Sequence, residues 1–258
     1  MMTFLADFLP VTQSALWAGF AVFIRIGAMM AVLPAFGEQS VPVRLRLGLT
    51  FAFTLIVLPA VAVGPVPSTL GAYIGLLAPE VLAGLFFGLA LRFFVFALQI
   101  AGAIAAQSTS LSQIFGGSAG VDPQPAMGRI LMVAGLALVS LLGLHVQIAS
   151  YMMHSYVMVP FGIWIAADKV AMLGMQEVSR AFTLGFTLAG PFVVASLIYN
   201  VTLGVINRAM PQLMVSFIGA PAITAGGLAL LWLVSPVLLA VWVSAFGAFM
   251  ASPFDALP

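Results

Sequence analysis

The chain contains no cysteine and only one lysine, Lys169, among its 258 residues. Without cysteine it can form no disulfide, no thiolate metal site and no thiol nucleophile, and the redox state of its compartment leaves no mark on it. Charge is nearly as scarce. Eight basic and seven acidic residues make up 6% of the chain, where a soluble domain carries about a quarter, so a water-soluble fold is excluded. A formal net charge of +1 supplies no basic footprint for nucleic acid. The lone lysine lies in no glycine-rich loop, which rules out a P-loop for ATP. Basic residues are also missing ahead of the first apolar stretch. Residues 1–10 carry only Asp7, which argues against a cleaved leader and for a retained first helix.

What the chain does have is apolar length: 63% hydrophobic residues and a mean hydropathy of +1.22. About six apolar blocks follow one another, at residues 14–36, 47–63, 70–106, 130–159, 181–205 and 212–250. Gly/Pro-rich breaks separate most of them, and Pro79, Pro191, Pro221 and Pro236 puncture them from within. Such prolines are tolerated at membrane depth where neighbouring helices satisfy the freed carbonyls. The reading is one all-α membrane protein of about six long, kinked apolar helices paired as hairpins. The block at 70–106 would be a helix about 55 Å long, against about 30 Å of hydrocarbon, and so resists division into simple spans. If there are six spans, Arg44, Arg46, Arg129 and Arg208 face one side and Lys169 and Arg180 the other, placing the N-terminus outside the cytoplasm.

Charges inside apolar blocks are the next signal. Arg25 sits in the first block, and Glu80 and Arg92 in the third. Ionisable groups at that depth face a partner or a wet cavity. Glu80 and Arg92 stand about 120° apart around one helix and do not pair with each other. We read the three as ion pairs between helices or subunits rather than as a proton or substrate path. Gly71-x-x-x-Gly75 and Gly84-x-x-x-Gly88 each place small residues on one helical face. Residues 164–182 are amphipathic and read either as an interfacial helix or as a solvated helix end.

Reactive constellations are thin. Gly116-Gly117-Ser118-Ala119-Gly120 matches the G-x-S-x-G pattern, and Asp122 and His145 follow in hydrolase order. That pattern needs a strand–turn–helix elbow to expose the hydroxyl, and no parallel sheet surrounds it, so it reads as a glycine/serine loop. An intramembrane serine protease stays the weaker alternative. His145 and His154 fall on opposite faces of one helix and cannot share a metal. No cofactor is expected. A secondary transporter would show an internal repeat, and none is visible.

One constellation goes beyond composition. Asn207-Arg208 is followed by Pro211-Gln212-Leu213 and then by Gly219 and Pro221. Upstream lie Arg25, Pro34, Val41-Pro42, Arg44, Leu58-Pro59, Asp122-Pro123, His145 and Pro160-x-Gly162. In this order the chain resembles the FliR family of flagellar export-gate membrane proteins, and more distantly the virulence-injectisome counterparts. The likeness covers nearly the whole length. The chain differs from it at Leu144, Met214, Ser216 and Ala220.

The resemblance implies a bacterial inner-membrane subunit of the flagellar basal body, with no enzymatic activity. It implies assembly with FliP-like and FliQ-like membrane proteins and other export-gate subunits, in contact with lipid. The assembly would be a conical passage for unfolded exported polypeptides, with hairpins largely lifted out of the bilayer plane. Residues 1–180 would be a FliP-like part and 181–258 a FliQ-like hairpin turning near 207–212. Arg25, Glu80, Arg92, Asn207, Arg208, Pro211 and Gln212 are then expected at partner or hairpin contacts. The loop before Asp122-Pro123 is expected to be the pore plug, comprising Ser108, Leu111, Ile114, Phe115, Gly116, Gly117 and Asp122. Its composition suits that role: Gly and Ser let the backbone rearrange cheaply, and an uncharged apolar trio can dewet a constriction.

Overall fold

The computed structural model describes residues 2–38, 41–108, 126–210 and 215–254, with side chains for 12–38, 41–108, 126–210 and 222–254. Among these residues every regular element is helical: α1 (Met2–Val32), α2 (Val43–Val57) with a 3₁₀ turn at Leu58–Ala60, α3 (Leu70–Ser108), α4 (Ala126–Leu141), α5 (Leu144–Met158), α6 (Ala167–Ala209) and α7 (Val215–Ala251). Chains this apolar must satisfy their backbone internally, and helices do so segment by segment. Five helices are long and apolar enough to cross a membrane, or six if α4 and α5 count as one bent span. This is an all-α membrane protein.

Two elements differ from the sequence reading. The apolar block at 130–159 is not one helix but two, α4 and α5, bent by 82° at their junction. Gly143 makes the corner with a φ of 81°, a left-handed conformation that glycine adopts without a Cβ penalty. Conversely, the amphipathic segment at 164–182 and the block at 181–205 fuse into α6, a continuous helix of 43 residues. Of the two readings left open for 164–182, the structure therefore gives the end of a longer helix. Pro79 lies inside α3 and Pro191 inside α6 without ending either helix. The helix α5 does stop at a proline, because Val159, the residue before Pro160, takes an extended conformation (φ −128°, ψ 92°).

The chain forms two compact units. The first comprises residues 1–92, 142–177 and 248–258. Its core joins Ile26, Met29 and Met30 of α1 to Ala83, Phe87 and Leu91 of α3 and to Tyr151 and Met152 of α5, all essentially without solvent contact. The helices α1 and α3 approach closely because Gly84 and Gly88 are flat. A Cβ on Gly84 would run into the Arg25 carbonyl and Ala28, and one on Gly88 into Val32 and Met29. The rings of Phe86, Phe87, Tyr151, Phe249 and Phe254 pack against one another in this unit.

The second unit comprises residues 93–141 and 178–247. Phe94 and Leu98 of α3, Met127 and Leu131 of α4, Leu188 and Phe192 of α6, and Trp242 and Phe246 of α7 are buried within it. Gly102 of α3 and Gly128 of α4 meet backbone to backbone, leaving no room for a Cβ on Gly102. The buried Trp242 indole donates to the Phe94 carbonyl at 2.7 Å, so its polar edge is satisfied in an apolar core.

Candidate functional site: a buried ion pair and the outward apolar faces

Two of the charges set within apolar blocks meet in the first unit. Arg25 and Glu80 are both fully buried. The guanidinium of Arg25 donates from Nε and Nη2 to the two Glu80 carboxylate oxygens at 2.8 and 2.9 Å. Its Nη1 donates to the carbonyls of Ser155 (3.2 Å) and Val159 (2.8 Å), the first in the last turn of α5, where it also accepts from the Val159 amide, the second at the residue that caps that helix. Its Cζ lies 3.8 Å from the centre of the Tyr156 ring, a cation–π contact. Glu80 also accepts from the Gly162 amide at 2.9 Å. Gly162 itself has a φ of 74°, again a left-handed position.

This arrangement explains why two costly charges stand in an apolar core. The planar fork of arginine matches a carboxylate and still has donors to spare for a helix end. One ion pair, rooted in α1 and α3, thus holds the end of α5 and the turn that follows it. Read from the sequence as members of ion pairs between helices or subunits, and expected at partner or hairpin contacts, Arg25 and Glu80 pair with each other between α1 and α3 within one unit. The pairing crosses 55 residues of sequence, and no periodicity signals it.

Arg92 is placed differently. It donates to the Val32 carbonyl at 3.2 Å and lies 3.7 Å from the Glu38 carboxylate, with both side chains about a quarter exposed. Arg46 donates to the carbonyls of Phe36 and Glu38. The turn after α1 is therefore held by two guanidiniums. Arg46 was not among the sequence candidates, and an arginine near a helix start carries no signal that would have singled it out.

Asn207 and Arg208 stand exposed in the last turn of α6. Pro211 and Gln212 lie outside the described residues, as do Leu111, Ile114, Phe115, Gly116, Gly117, Ser118 and Asp122. Ser108 closes α3, its hydroxyl donating to the Ala105 carbonyl. His145 and His154 are both exposed on α5. No group of three or more His, Asp or Glu side chains among the described residues is placed to hold a metal ion.

The other notable surface is apolar. On α6, Phe186, Leu197, Ile198, Val201 and Val205 are each about three-fifths exposed, and on α7 Trp232 is 80% exposed with Leu233 and Val237 beside it. The two helices face each other across a small cavity lined by Ser196 and Tyr199 on one side and Ile223 and Gly226 on the other. The first of these helices ends at Ala209 and the second begins at Val215.

Comparison with known proteins decides the family. The model of bacterial export proteins, family 1, matches residues 16–249. The chain belongs to this family. Within it, the chain is 36% identical over 228 residues to the flagellar biosynthetic protein FliR of Caulobacter vibrioides, covering 87% of this chain and 91% of that one. It is 27% identical to the protein of the same name from Escherichia coli, over 83% of each chain. The Bacillus subtilis protein of that name is also 27% identical, over 78% of this chain and 79% of its own. The family match contains Arg25 and Glu80 and runs through both compact units.

Proposed function

We propose that this export-family chain is a subunit of the flagellar protein-export gate in the bacterial inner membrane, at the flagellar basal body. With FliP-like and FliQ-like chains it builds the passage through which unfolded flagellar subunits leave the cytoplasm. Its role is structural and conductive, not catalytic. Residues 1–180 act as the FliP-like part and 181–258 as the FliQ-like hairpin.

One observation carries this reading beyond the family. No charge occurs between Arg208 and Asp255, and α7 keeps an apolar stretch at Ala222–Ala251 of 30 residues. That stretch rises about 45 Å, half as much again as a hydrocarbon core of about 30 Å. Fitting it within lipid needs a tilt of about 48°, beyond the usual range of about 0–40°. Its exposed side chains therefore extend past what lipid can cover, and protein must cover the remainder. Asn207 and Arg208 stand at the turn of this hairpin, where an arginine fork can hold helix-end carbonyls or a carboxylate of a partner.

Co-expression with the FliP-like and FliQ-like chains of the same genome is the test. The three should co-purify as one complex on blue-native gels, and Arg208→Ala should lower recovery of the complex. A monodisperse, stable chain that pulls down neither partner would overturn the proposal.

A further inference from the structure

A cavity of about 510 Å³ opens in the first unit between α3, the turn after α5 and the start of α6. Its volume lies within the range of about 300–1,000 Å³ typical of small-molecule sites. Three features give it a definite chemistry. The walls are apolar: Phe87 and Leu173 are buried and Phe86 is half-buried, and they line its depth. The rim carries Ile163 and Trp164, both more than half exposed. A single charge lines it, that of Lys169, the only lysine in the chain. Asp168 stands in the same helical turn but is not among the lining residues.

The cavity is also built rather than incidental. Glu80 holds the Gly162 amide, and Arg25 holds the Val159 carbonyl. Those bonds clamp both sides of the turn that supplies the rim, so the buried ion pair fixes the wall of the cavity. A preformed apolar cleft with one cation at its edge suits an amphiphile whose head is anionic and whose tail is hydrocarbon. A tryptophan at the rim matches the level at which indoles sit among headgroups. The surrounding solvent of a membrane protein supplies such a molecule in quantity.

We propose that this cavity binds one anionic phospholipid, its phosphate at Lys169 and an acyl chain along Phe86, Phe87 and Leu173. The site belongs to the single chain and does not depend on assembly with partners, so its failure would leave the proposed gate role standing.

The test uses the full chain in mixed micelles containing phosphatidylglycerol or phosphatidylcholine brominated on the acyl chains, which quench nearby indoles. Subtracting the signal of Trp164→Phe isolates Trp164 from the other three tryptophans. Half-quenching of Trp164 should need about fivefold less brominated phosphatidylglycerol than brominated phosphatidylcholine, the effect of one lysine at an anionic headgroup. Lys169→Gln should abolish that difference, and Lys169→Arg should retain it. Inorganic phosphate alone should not compete. Equal quenching by both lipids, or a preference unchanged in Lys169→Gln, would reduce the cavity to general lipid contact and overturn the proposal. Absence of quenching, or displacement by free phosphate, would overturn it as well, the first by showing a groove closed to lipid and the second by showing a simple anion site.

Discussion

The guanidinium of Arg25 makes four hydrogen bonds, two to Glu80 and two to the carbonyls of Ser155 and Val159. A group so engaged is costly to orphan. Glu80→Ala leaves a buried cation without its counter-charge and frees the Gly162 amide, so it should destabilise the chain by about 3–5 kcal/mol. Arg25→Met combined with Glu80→Leu removes both charges together and should cost much less than Glu80→Ala alone. Thermal melts in detergent would show this as a double variant that unfolds at a higher temperature than the single one. A double variant as damaged as Glu80→Ala would mean that the helix-end carbonyls, not the charge pair, carry the stability. At this scale the sequence was half legible. Scarcity of charge marks Arg25 and Glu80 as residues that must have partners, but pairing across 55 residues depends on how α1 lies on α3.

That placement is an element-scale matter, and glycine decides it. Two small-residue pairs on α3 look alike in sequence, yet a Cβ on Gly71 or Gly75 would meet nothing within 4 Å, whereas one on Gly84 would collide with the Arg25 carbonyl and Ala28. Gly84→Ala should therefore cost about 1–3 kcal/mol through overpacking. Gly71→Ala should be neutral or stabilise by up to about 1 kcal/mol, because alanine is the better helix former. Melting the two variants side by side checks the opposite signs, and equal effects would remove the packing argument. Apolar periodicity and length made the long helices legible. Their continuity through Pro79 and Pro191 was not, since whether a proline breaks a helix depends on what surrounds its freed carbonyl. The corner at Gly143 escaped notice for a related reason: one glycine in an apolar run reads like any other until tertiary packing selects its left-handed conformation.

For the whole molecule, the division into two compact units has no sequence signature. The chain leaves each unit and returns to it, so no linker or change of composition marks a boundary. If the chain is the proposed gate subunit, the assembled gate must at rest stop ions while staying able to admit a chain. Residues 108–121 suit that task by composition. No charge occurs between Arg92 and Asp122, glycine and serine allow the backbone to rearrange, and Leu111, Ile114 and Phe115 can exclude water from a constriction. A plain surface loop has no need of an apolar trio within a charge-free run. Deleting residues 111–120 from the gate should leave assembly intact, since the helices and the Arg25–Glu80 pair are untouched. It should raise resting ion conductance and slow growth, with export persisting. Conductance measured across the membrane of cells carrying the deleted gate is the check. A shortened gate that assembles fully and conducts no more than the intact one would remove residues 108–121 from the role of plug.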